Sequence, residues 1–299
     1  MQFASTAKPA TAILFDSDFG RSIDTVLALA LLHGFAGKMQ ARVSALTINY
    51  SCLEAAELCD VVETFYRKAV AGPTAPYMSA PAIGVPDPHG KAAEAPALVK
   101  ATLAKPWVSN ITHWHDTAAP ENLIRNDLAA QNDGNAVMVM TGAATNLSQL
   151  LDLHDTGPLI RAKVKMLVIA GDLPTDDAAK RVLAEWPTPI VSCGREIGDR
   201  LLFPGKSIET DFAYAPQHPI VDAYRAYRPM PYDAPSCALA GMLYAIRPED
   251  GYFTIGKREK HSYLALVAAK HDEVIQKFTE MVSAKPVVVK PFRKQPVEA

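Results

Sequence analysis

Apolar and polar positions follow a recurring order along this chain: a short apolar run, a polar turn, and a segment with helical spacing. The first example is the apolar run 12–15, which leads into Asp16, Ser17 and Asp18, a glycine turn and the apolar segment 26–32. A run of strand length before a turn and a helix predicts the first βα unit of a parallel sheet. Because open α/β sheets bind ligands outside the carboxyl ends of their strands, this turn is the first candidate for a site.

The same order continues to about residue 205 without a linker-like break. Further strand candidates are the apolar runs 41–50, 136–140, 165–170 and 188–194, a short one at 82–85, and two near the end at 252–255 and 263–268. Helical spacing marks segments between and after them. We therefore predict one doubly wound α/β domain over residues 12–285 with a mostly parallel, open, Rossmann-like sheet, flanked by an N-terminal extension at 1–11 and a tail at 286–299.

The composition, with 49% hydrophobic and 21% charged residues, is ordinary for a soluble globular enzyme. Its 299 residues carry 30 basic and 32 acidic side chains, a net charge of −2, so a nucleic acid or an anionic membrane is not expected as a partner. The sequence contains no apolar run long enough to span a bilayer. Residues 1–9 lack a basic start and an apolar segment, so we expect a cytoplasmic protein, or a periplasmic or secreted one if a signal peptide had been removed. We also expect a homo-oligomer.

Cysteine and histidine give weaker signals. Cys52, Cys59, Cys193 and Cys237 match no zinc-finger or redox spacing, so we expect reduced thiols in the core. The His-Trp-His segment at 113–115 resembles a pair of metal ligands. No third ligand stands at helical or hairpin spacing from it, which favours a surface loop.

Three carboxylates follow the first predicted strand. Asp16 and Asp18 face the same side of an extended segment, because side chains alternate with a period of two, and Asp24 comes six residues later. Two acids on one side repel each other unless a cation or a shared proton joins them. Either these carboxylates form a site at the sheet edge, or Asp18 or Asp24 caps the helix that follows.

Four stretches resemble the inosine-uridine nucleoside hydrolases, in the same order along the chain. Residues 16–26 (D-S-D-F-G-R-S-I-D-T-V) are similar to the branch whose first turn reads D-T-D-x-G-N-D-x-D-D-A. Residues 141–147 (T-G-A-A-T-N-L) look like the family's G-x-L-T-N-L turn, and residues 186–191 are similar to its W-P-T-P-I-V strand. Tyr232-Asp233 and the segment L-Y-A-I-R-P at 243–248 look like its late aspartate and its L-Y-A-V-R-P helix.

The resemblance implies a nucleoside hydrolase-like fold and an enzyme that cleaves the N-glycosidic bond of a nucleoside or related riboside. It also implies a calcium ion that activates the attacking water, with Asp18 as the general base. In this sequence the implied metal ligands are Asp18, Thr25, the backbone carbonyl of Thr145, and Asp233. The implied substrate-binding residues are Asp24, Asn49, Asp172 and Tyr232.

The sequence departs from the family pattern at several of these positions. Ser22 and Thr25 replace two carboxylates of that branch, and Arg21 adds a cation beside them. Because the charge of its ligands tunes a calcium site, we expect weak or absent calcium binding. The loop at 172–175 is shorter than the family's and lacks its sugar-binding Glu and Asn. Tyr232 stands where some members have a histidine, and a phenol is a poorer acid than imidazole at neutral pH.

Two other interpretations remain open. One is a haloacid-dehalogenase-like phosphatase with Asp16 as nucleophile and Asp18 as acid/base, although the expected Gly-Thr after the aspartates and a cap segment are missing. The other is a non-catalytic binding or scaffold protein on the same fold, which the lost carboxylates and the short loop favour.

Overall fold

The computed structural model of the protein describes residues 10–71, 81–172, 175–258 and 261–286. Within these residues the chain forms ten β-strands that alternate with helices along most of its length. The strands are β1 (Thr11–Ser17), β2 (Ala41–Ile48), β3 (Ile83–Gly84), β4 (Ala136–Thr141), β5 (Val164–Ala170), β6 (Ile190–Cys193), β7 (Leu202–Phe203), β8 (Ala234–Pro235), β9 (Phe253–Arg258) and β10 (His261–Leu266).

The same residues form twelve α-helices and two short 3-10 turns, the latter at Trp114–Asp116 and Ala268–Lys270. The helices are α1 (Ile23–Gly37), α2 (Leu53–Ala71), α3 (Ala97–Leu103), α4 (Pro120–Ala130), α5 (Thr145–Asp152), α6 (Thr156–Lys163), α7 (Asp177–Glu185), α8 (Arg195–Gly198), α9 (Gly205–Thr210), α10 (Pro219–Tyr227), α11 (Cys237–Ile246) and α12 (His271–Val282).

Eight strands form one open sheet in the order β3-β2-β1-β4-β5-β6-β10-β9. Every neighbouring pair is parallel except the edge pair β9 and β10. This confirms the predicted α/β class with a mostly parallel open sheet. The short strands β7 and β8 pair separately in an antiparallel ladder. Because the strand order runs outward in both directions from the centre, the chain switches direction between β1 and β4, and ligands bind at such a switch point.

Both faces of the sheet are buried, each by its own layer of helices. Successive side chains of a central strand point to opposite faces, so they enter two different hydrophobic clusters. In β1, Ile13 and Phe15 belong to the hydrophobic cluster that includes α1 and α11, whereas Leu14 belongs to the cluster that includes α5. In β4, Val137 and Met138 divide between the clusters in the same way. The near-continuous apolar runs of the sequence are therefore central strands, covered on both sides.

Helix α1 is apolar almost all round and lies inside the molecule. Its residues 26–32 are fully buried, and it packs against both α11 and α12. A helix without a polar face is stable only when protein surrounds it. Since α1 begins six residues after β1 ends, its burial also fixes the turn that carries the first carboxylates.

The structure differs from the sequence prediction mainly between residues 195 and 235. Helices α8, α9 and α10 and the β7–β8 ladder had no predicted counterpart, because elements of two to nine residues carry little periodicity. The four cysteines are free, with Cys237 partly exposed and the others buried. Residues 1–9 of the predicted extension and 287–299 of the predicted tail lie outside the described residues. Among the helices of the described part, none combines the length and the apolar character needed to cross a membrane.

Candidate functional site

A cleft opens at the carboxyl ends of β1, β4 and β5, at the switch point of the sheet. Its volume is about 370 Å³. It is lined by Asp18, Ser22, Ile23, Asp24, Thr25, Thr141, Gly142, Ala170, Gly171, Asp172, Arg195, Asp199, Tyr227, Arg228, Pro235, Cys237 and Ala238. The position is the one that the sheet topology predicts for a ligand, because the strand ends fix the origins of the loops around it.

Asp16 lies below this cleft and is 1% exposed. Its Oδ1 accepts hydrogen bonds from Thr47 Oγ1 at 2.6 Å and from Asn146 Nδ2 at 2.7 Å, and Asn49 Nδ2 lies 3.5 Å from Oδ2. Burial raises the pKa of the Asp16 carboxyl to about 6, although these hydrogen bonds act in the opposite direction. The side chain therefore joins β1 to β2 and α5, and a phosphate ester has no access to it as a nucleophile.

Asp18 is the carboxylate that faces the cleft. Thr141 Oγ1 lies 2.7 Å from Asp18 Oδ1 and 2.9 Å from Ser17 Oγ, so its single hydroxyl proton goes to the carboxylate while Ser17 donates to Thr141. Gly142 follows with φ +73°, and a Cβ built there would lie 2.6 Å from Asp18 Cβ. The end of β4 thus holds Asp18 in place with a hydroxyl group and a residue that has no side chain.

Asp24 is at the cleft edge, but its carboxylate binds the start of another helix. Oδ2 accepts from Ala238 N at 2.6 Å and Oδ1 from Leu239 N at 3.2 Å, which are free amides in the first turn of α11. Burial raises the pKa of Asp24 to about 7, against the effect of these backbone hydrogen bonds. Asp24 is therefore a helix cap, but the helix is α11 and not the one that follows it, which Ser22 caps.

The turn between β1 and α1 uses its hydroxyl groups internally. Ser22 Oγ accepts from Asp24 N at 3.1 Å and caps α1. Thr25 Oγ1 donates to Ser22 O at 2.9 Å and accepts from Gly20 N at 3.2 Å. The two hydroxyl residues that replace carboxylates of the resembled family therefore stabilise the turn.

Three of the other predicted site residues are held by the protein itself. Asn49 is buried and donates from Nδ2 to Thr141 O at 2.6 Å. Tyr232 donates its hydroxyl to Tyr224 O at 2.6 Å, with the two rings stacked 4.4 Å apart. Thr145 Oγ1 donates to Asn49 O at 3.4 Å. None of these three is among the residues that line the cleft.

The two remaining predicted aspartates lie in different places. Asp172 lines the cleft, and its Oδ2 is 3.5 Å from Arg195 Nη1. Asp233 is exposed, accepts from Gly205 N at 2.8 Å, and is not among the lining residues. Residues 173 and 174 of the shortened loop lie outside the described residues.

The donors at this cleft do not fit a calcium ion. Of the four implied ligands, only Asp18 and Thr25 line the cleft, and the Thr25 side chain offers a hydroxyl that is already hydrogen-bonded. Calcium takes six to eight oxygen ligands, several of them carboxylates. Asp24 has its two oxygens directed at α11, and Asp172 and Asp199 lie beside Arg195. Of the implied ligands, only Asp18 therefore offers a carboxylate to the cleft.

Arginines at the cleft are the main feature that sequence reasoning missed. Arg195 and Arg228 line it; Arg195 lies near two carboxylates, whereas Arg228 stacks over Tyr227, with its guanidinium 5.1 Å from the ring centre. Within the described chain, no carboxylate pairs with Arg228. Arg195 begins the helix directly after β6, so the strand-end rule that singled out Asp18 would also have found it. Arg228 follows α10, a helix that the sequence pattern did not reveal.

No protein-family model matches this sequence, and no curated protein sequence matches it. Solved structures do match. The effector protein XOO4466 is similar with a TM-score of 0.68 at 11% identity, over 93% of this chain and 95% of that one. The inosine-uridine preferring nucleoside hydrolase from Bacillus anthracis has a TM-score of 0.64 at 11% identity, over 92% and 99% of the two chains.

A third similar structure is the type III effector protein XopQ complexed with adenosine diphosphate ribose, with a TM-score of 0.65 at 11% identity over 94% of this chain and 95% of that one. The protein therefore has a nucleoside hydrolase-like α/β fold. At such low identity the similarity concerns the fold alone, and the chemistry has to be argued from the cleft.

Proposed function

We propose that the protein binds an N-riboside in the switch-point cleft and hydrolyses its N-glycosidic bond with a water molecule that Asp18 deprotonates. The observation that carries the proposal is the placement of Asp18, a carboxylate held by Thr141 at the open end of the central strands. Nucleoside hydrolases that share the fold support the same class of substrate.

The chemistry needs an anion beside the sugar. As the C1′–N bond breaks, positive charge builds on the ribosyl ring, and a carboxylate close to it stabilises the transition state. Asp18 Oδ1 is occupied by the Thr141 hydroxyl, while no hydrogen bond from the described residues reaches Oδ2. Oδ2 is then the atom that accepts the proton of the attacking water.

The ligand class follows from the cations of the cleft. Arg228 offers a guanidinium without a carboxylate partner in the described chain, and Arg195 lies on the same lining. A guanidinium binds phosphate through two parallel hydrogen bonds and also stabilises a leaving group that departs with negative charge. A riboside that carries phosphate is therefore the preferred ligand, and the ADP-ribose complex of the similar effector XopQ supports this class.

No step of the proposal runs through a metal ion. Tyr232 is also left out as the acid for the leaving base, since its hydroxyl already donates to Tyr224 O and burial raises its pKa well above neutral. Weak or absent calcium binding remains a prediction of the sequence. Titration calorimetry on the wild type and on Thr25→Asp, which restores one carboxylate of the resembled branch, tests it: tighter binding in the variant supports the predicted ligand position.

Release of the free base from nucleosides and nucleoside monophosphates by the purified protein tests the catalytic proposal, with nitrophenyl riboside as a chromogenic substrate that carries the same ribosyl group. We expect Asp18→Asn to lower kcat about 100-fold or more, the usual contribution of a general base, without lowering the melting temperature. The matched control is Asp177→Asn, whose carboxylate is fully exposed and should leave the rate unchanged. Equal rates in Asp18→Asn and wild type would contradict the role of Asp18.

A riboside-binding protein without catalysis is the second candidate. The observation that favours it is that Asp16, Asp24, Ser22 and Thr25 are all occupied by the protein's own hydrogen bonds. It predicts no turnover, but a rise in melting temperature with ADP-ribose or a nucleoside, because a ligand at one hundred times its Kd stabilises by about 2.7 kcal/mol. If the protein shows no turnover and its melting temperature does not change with any riboside, both candidates are contradicted.

A further inference from the structure

A second group of chemically active side chains lies outside the cleft, at the 3-10 turn Trp114–Asp116. His113, His115 and Asp116 are exposed there, and one ligand atom of each lies within 4.8 Å of the others. The sequence favoured a surface loop because no third ligand stands at helical or hairpin spacing, and these residues are indeed exposed. The turn nevertheless brings the adjacent Asp116 back to the two imidazoles.

Asp116 is held by the backbone of its own turn. Its Oδ2 accepts from Thr112 N and from His113 N, each at 2.8 Å. Oδ1 takes no part in these hydrogen bonds and lies 3.5 Å from His115 Nε2. The carboxylate is thus fixed in orientation, and one oxygen remains for a ligand.

Thr112 also engages one nitrogen of His113. The Thr112 hydroxyl lies 3.1 Å from Asp116 Oδ2 and 2.8 Å from His113 Nδ1. In the Nδ1–H tautomer of His113, the hydroxyl accepts the Nδ1 proton and the lone pair is on Nε2. A metal ion that binds Nε2 selects this tautomer. Metal-binding histidines in proteins show the same arrangement, with one nitrogen donating to a fixed group and the other coordinating.

We propose that His113, His115 and Asp116 bind a divalent transition-metal ion of the zinc type. Imidazole nitrogens with one carboxylate suit zinc, nickel and copper, whereas calcium and magnesium need a shell of oxygen ligands. The two imidazole rings already lie stacked, with their centres 5.0 Å apart. In a tetrahedral zinc site the ligand atoms are about 3.3 Å apart, so rotation of exposed side chains closes the remaining gap.

The backbone of the turn is anchored to the sheet. Ala118 N donates to Ile83 O and Val85 N donates to Ala118 O, each at 3.0 Å, which attaches the segment to edge strand β3. Trp114, between the two histidines, packs against the main hydrophobic cluster. Binding therefore has to order only side chains, which keeps its entropic cost low. The site shares no residue with the cleft, so the metal-binding proposal does not depend on the proposed function.

Calorimetric titration of the full chain with zinc chloride tests the proposal. We expect one binding event that is lost in the double variant His113→Ala/His115→Ala and weakened about 10- to 100-fold in either single variant. Thr112→Val removes the hydroxyl that contacts His113 Nδ1 and should weaken binding about tenfold while the fold is retained. The matched control is His154→Ala, which removes an exposed histidine that pairs with Asp155 at 2.8 Å but belongs to no group of three potential metal ligands in the described part of the chain.

Histidine side-chain NMR supplies a readout that does not depend on activity. Zinc should shift the ring nitrogen signals of His113 and His115, and calcium at the same concentration should leave them in place. The proposal is overturned if the double variant binds zinc as tightly as the wild type, or if only other histidines respond. Since the substituted side chains are 68% and 79% exposed, unchanged melting temperatures of the metal-free variants will show that folding is intact.

Discussion

At the scale of single residues, the cleft depends on how closely β1 and β4 meet beside Asp18. Thr141 donates to Asp18 Oδ1, and Gly142 passes the same side chain with no Cβ between them. Gly142 also has φ +73°, a backbone conformation that residues with a Cβ adopt only at a cost. The position therefore needs glycine for two separate reasons, one local and one that concerns the site.

Gly142→Ala should lower the free energy of unfolding by about 1 to 2 kcal/mol through backbone strain, and it should also abolish riboside binding by displacing Asp18. Gly134→Ala is the matched control: its φ is +60°, but a Cβ there meets nothing within 4 Å. Urea unfolding and thermal shift with ADP-ribose measure the two effects. Retained ligand shifts in Gly142→Ala would show that the Asp18 position does not matter for binding.

At the scale of elements, α1 packs so closely against α12 that no side chain fits at Gly34. A Cβ built at Gly34 would lie 2.1 Å from Met281 O, the backbone of α12. Backbone cannot rotate away as a flexible side chain can, so the two helices would have to separate. This contact joins the first helix of the chain to the last, and it helps to hold the β1–α1 turn at the cleft.

Gly34→Ala should destabilise the protein by about 2 kcal/mol or more, the usual cost of overpacking a core. Gly157→Ala, in α6, is the control, since nothing lies within 4 Å of a Cβ there, and glycine in a helix costs about 0.5 to 1 kcal/mol relative to alanine. Denaturant midpoints of the two variants should therefore move in opposite directions. Equal midpoints would contradict the tight α1–α12 contact.

At the scale of the whole molecule, two buried carboxylates make stability depend on pH. Burial raises the pKa of Asp16 from 3.8 to about 6 and that of Asp24 from 3.8 to about 7. The folded protein therefore holds both protons more tightly than the unfolded chain does. Their contribution to stability is fully present below pH 3.8, and it is lost as the pH rises through about 6 for Asp16 and about 7 for Asp24.

Asp16→Asn should remove the part of this pH dependence that falls between pH 4 and 6. At 1.36 kcal/mol per pKa unit, the raised pKa of Asp16 corresponds to a loss of about 3 kcal/mol of unfolding free energy between pH 4 and pH 6. The measurement is urea unfolding of wild type and variant from pH 4 to 8. The slope of the unfolding free energy against pH is compared, because the hydrogen bonds lost in the variant lower this free energy by the same amount at every pH. Asp155→Asn, at an exposed site, is the control. Parallel curves for wild type and Asp16→Asn would contradict the raised pKa.

The sequence determined the sheet and its edge. Apolar runs 12–15, 136–140 and 165–170 are central strands because only segments covered on both faces are apolar at consecutive positions. Asp18, Thr141 and Asp172 follow the ends of these strands and line one cleft, because parallel strands end at the same edge of a sheet. These features are local, since they depend on a strand, its end and the alternation of its side chains.

Only the tertiary structure decided what each polar group does there. Asp24 caps α11, more than 200 residues away, and Asn49 donates a hydrogen bond to the backbone of β4. Asp233 accepts a hydrogen bond from Gly205 N. The residues chosen by resemblance are therefore divided between the cleft and the scaffold. Arg228 lines the cleft directly after α10, a helix too short for its periodicity to be recognised in the sequence. Hydrogen-bond partners are set by distances between elements, whereas the sequence pattern records only which face of each element is apolar.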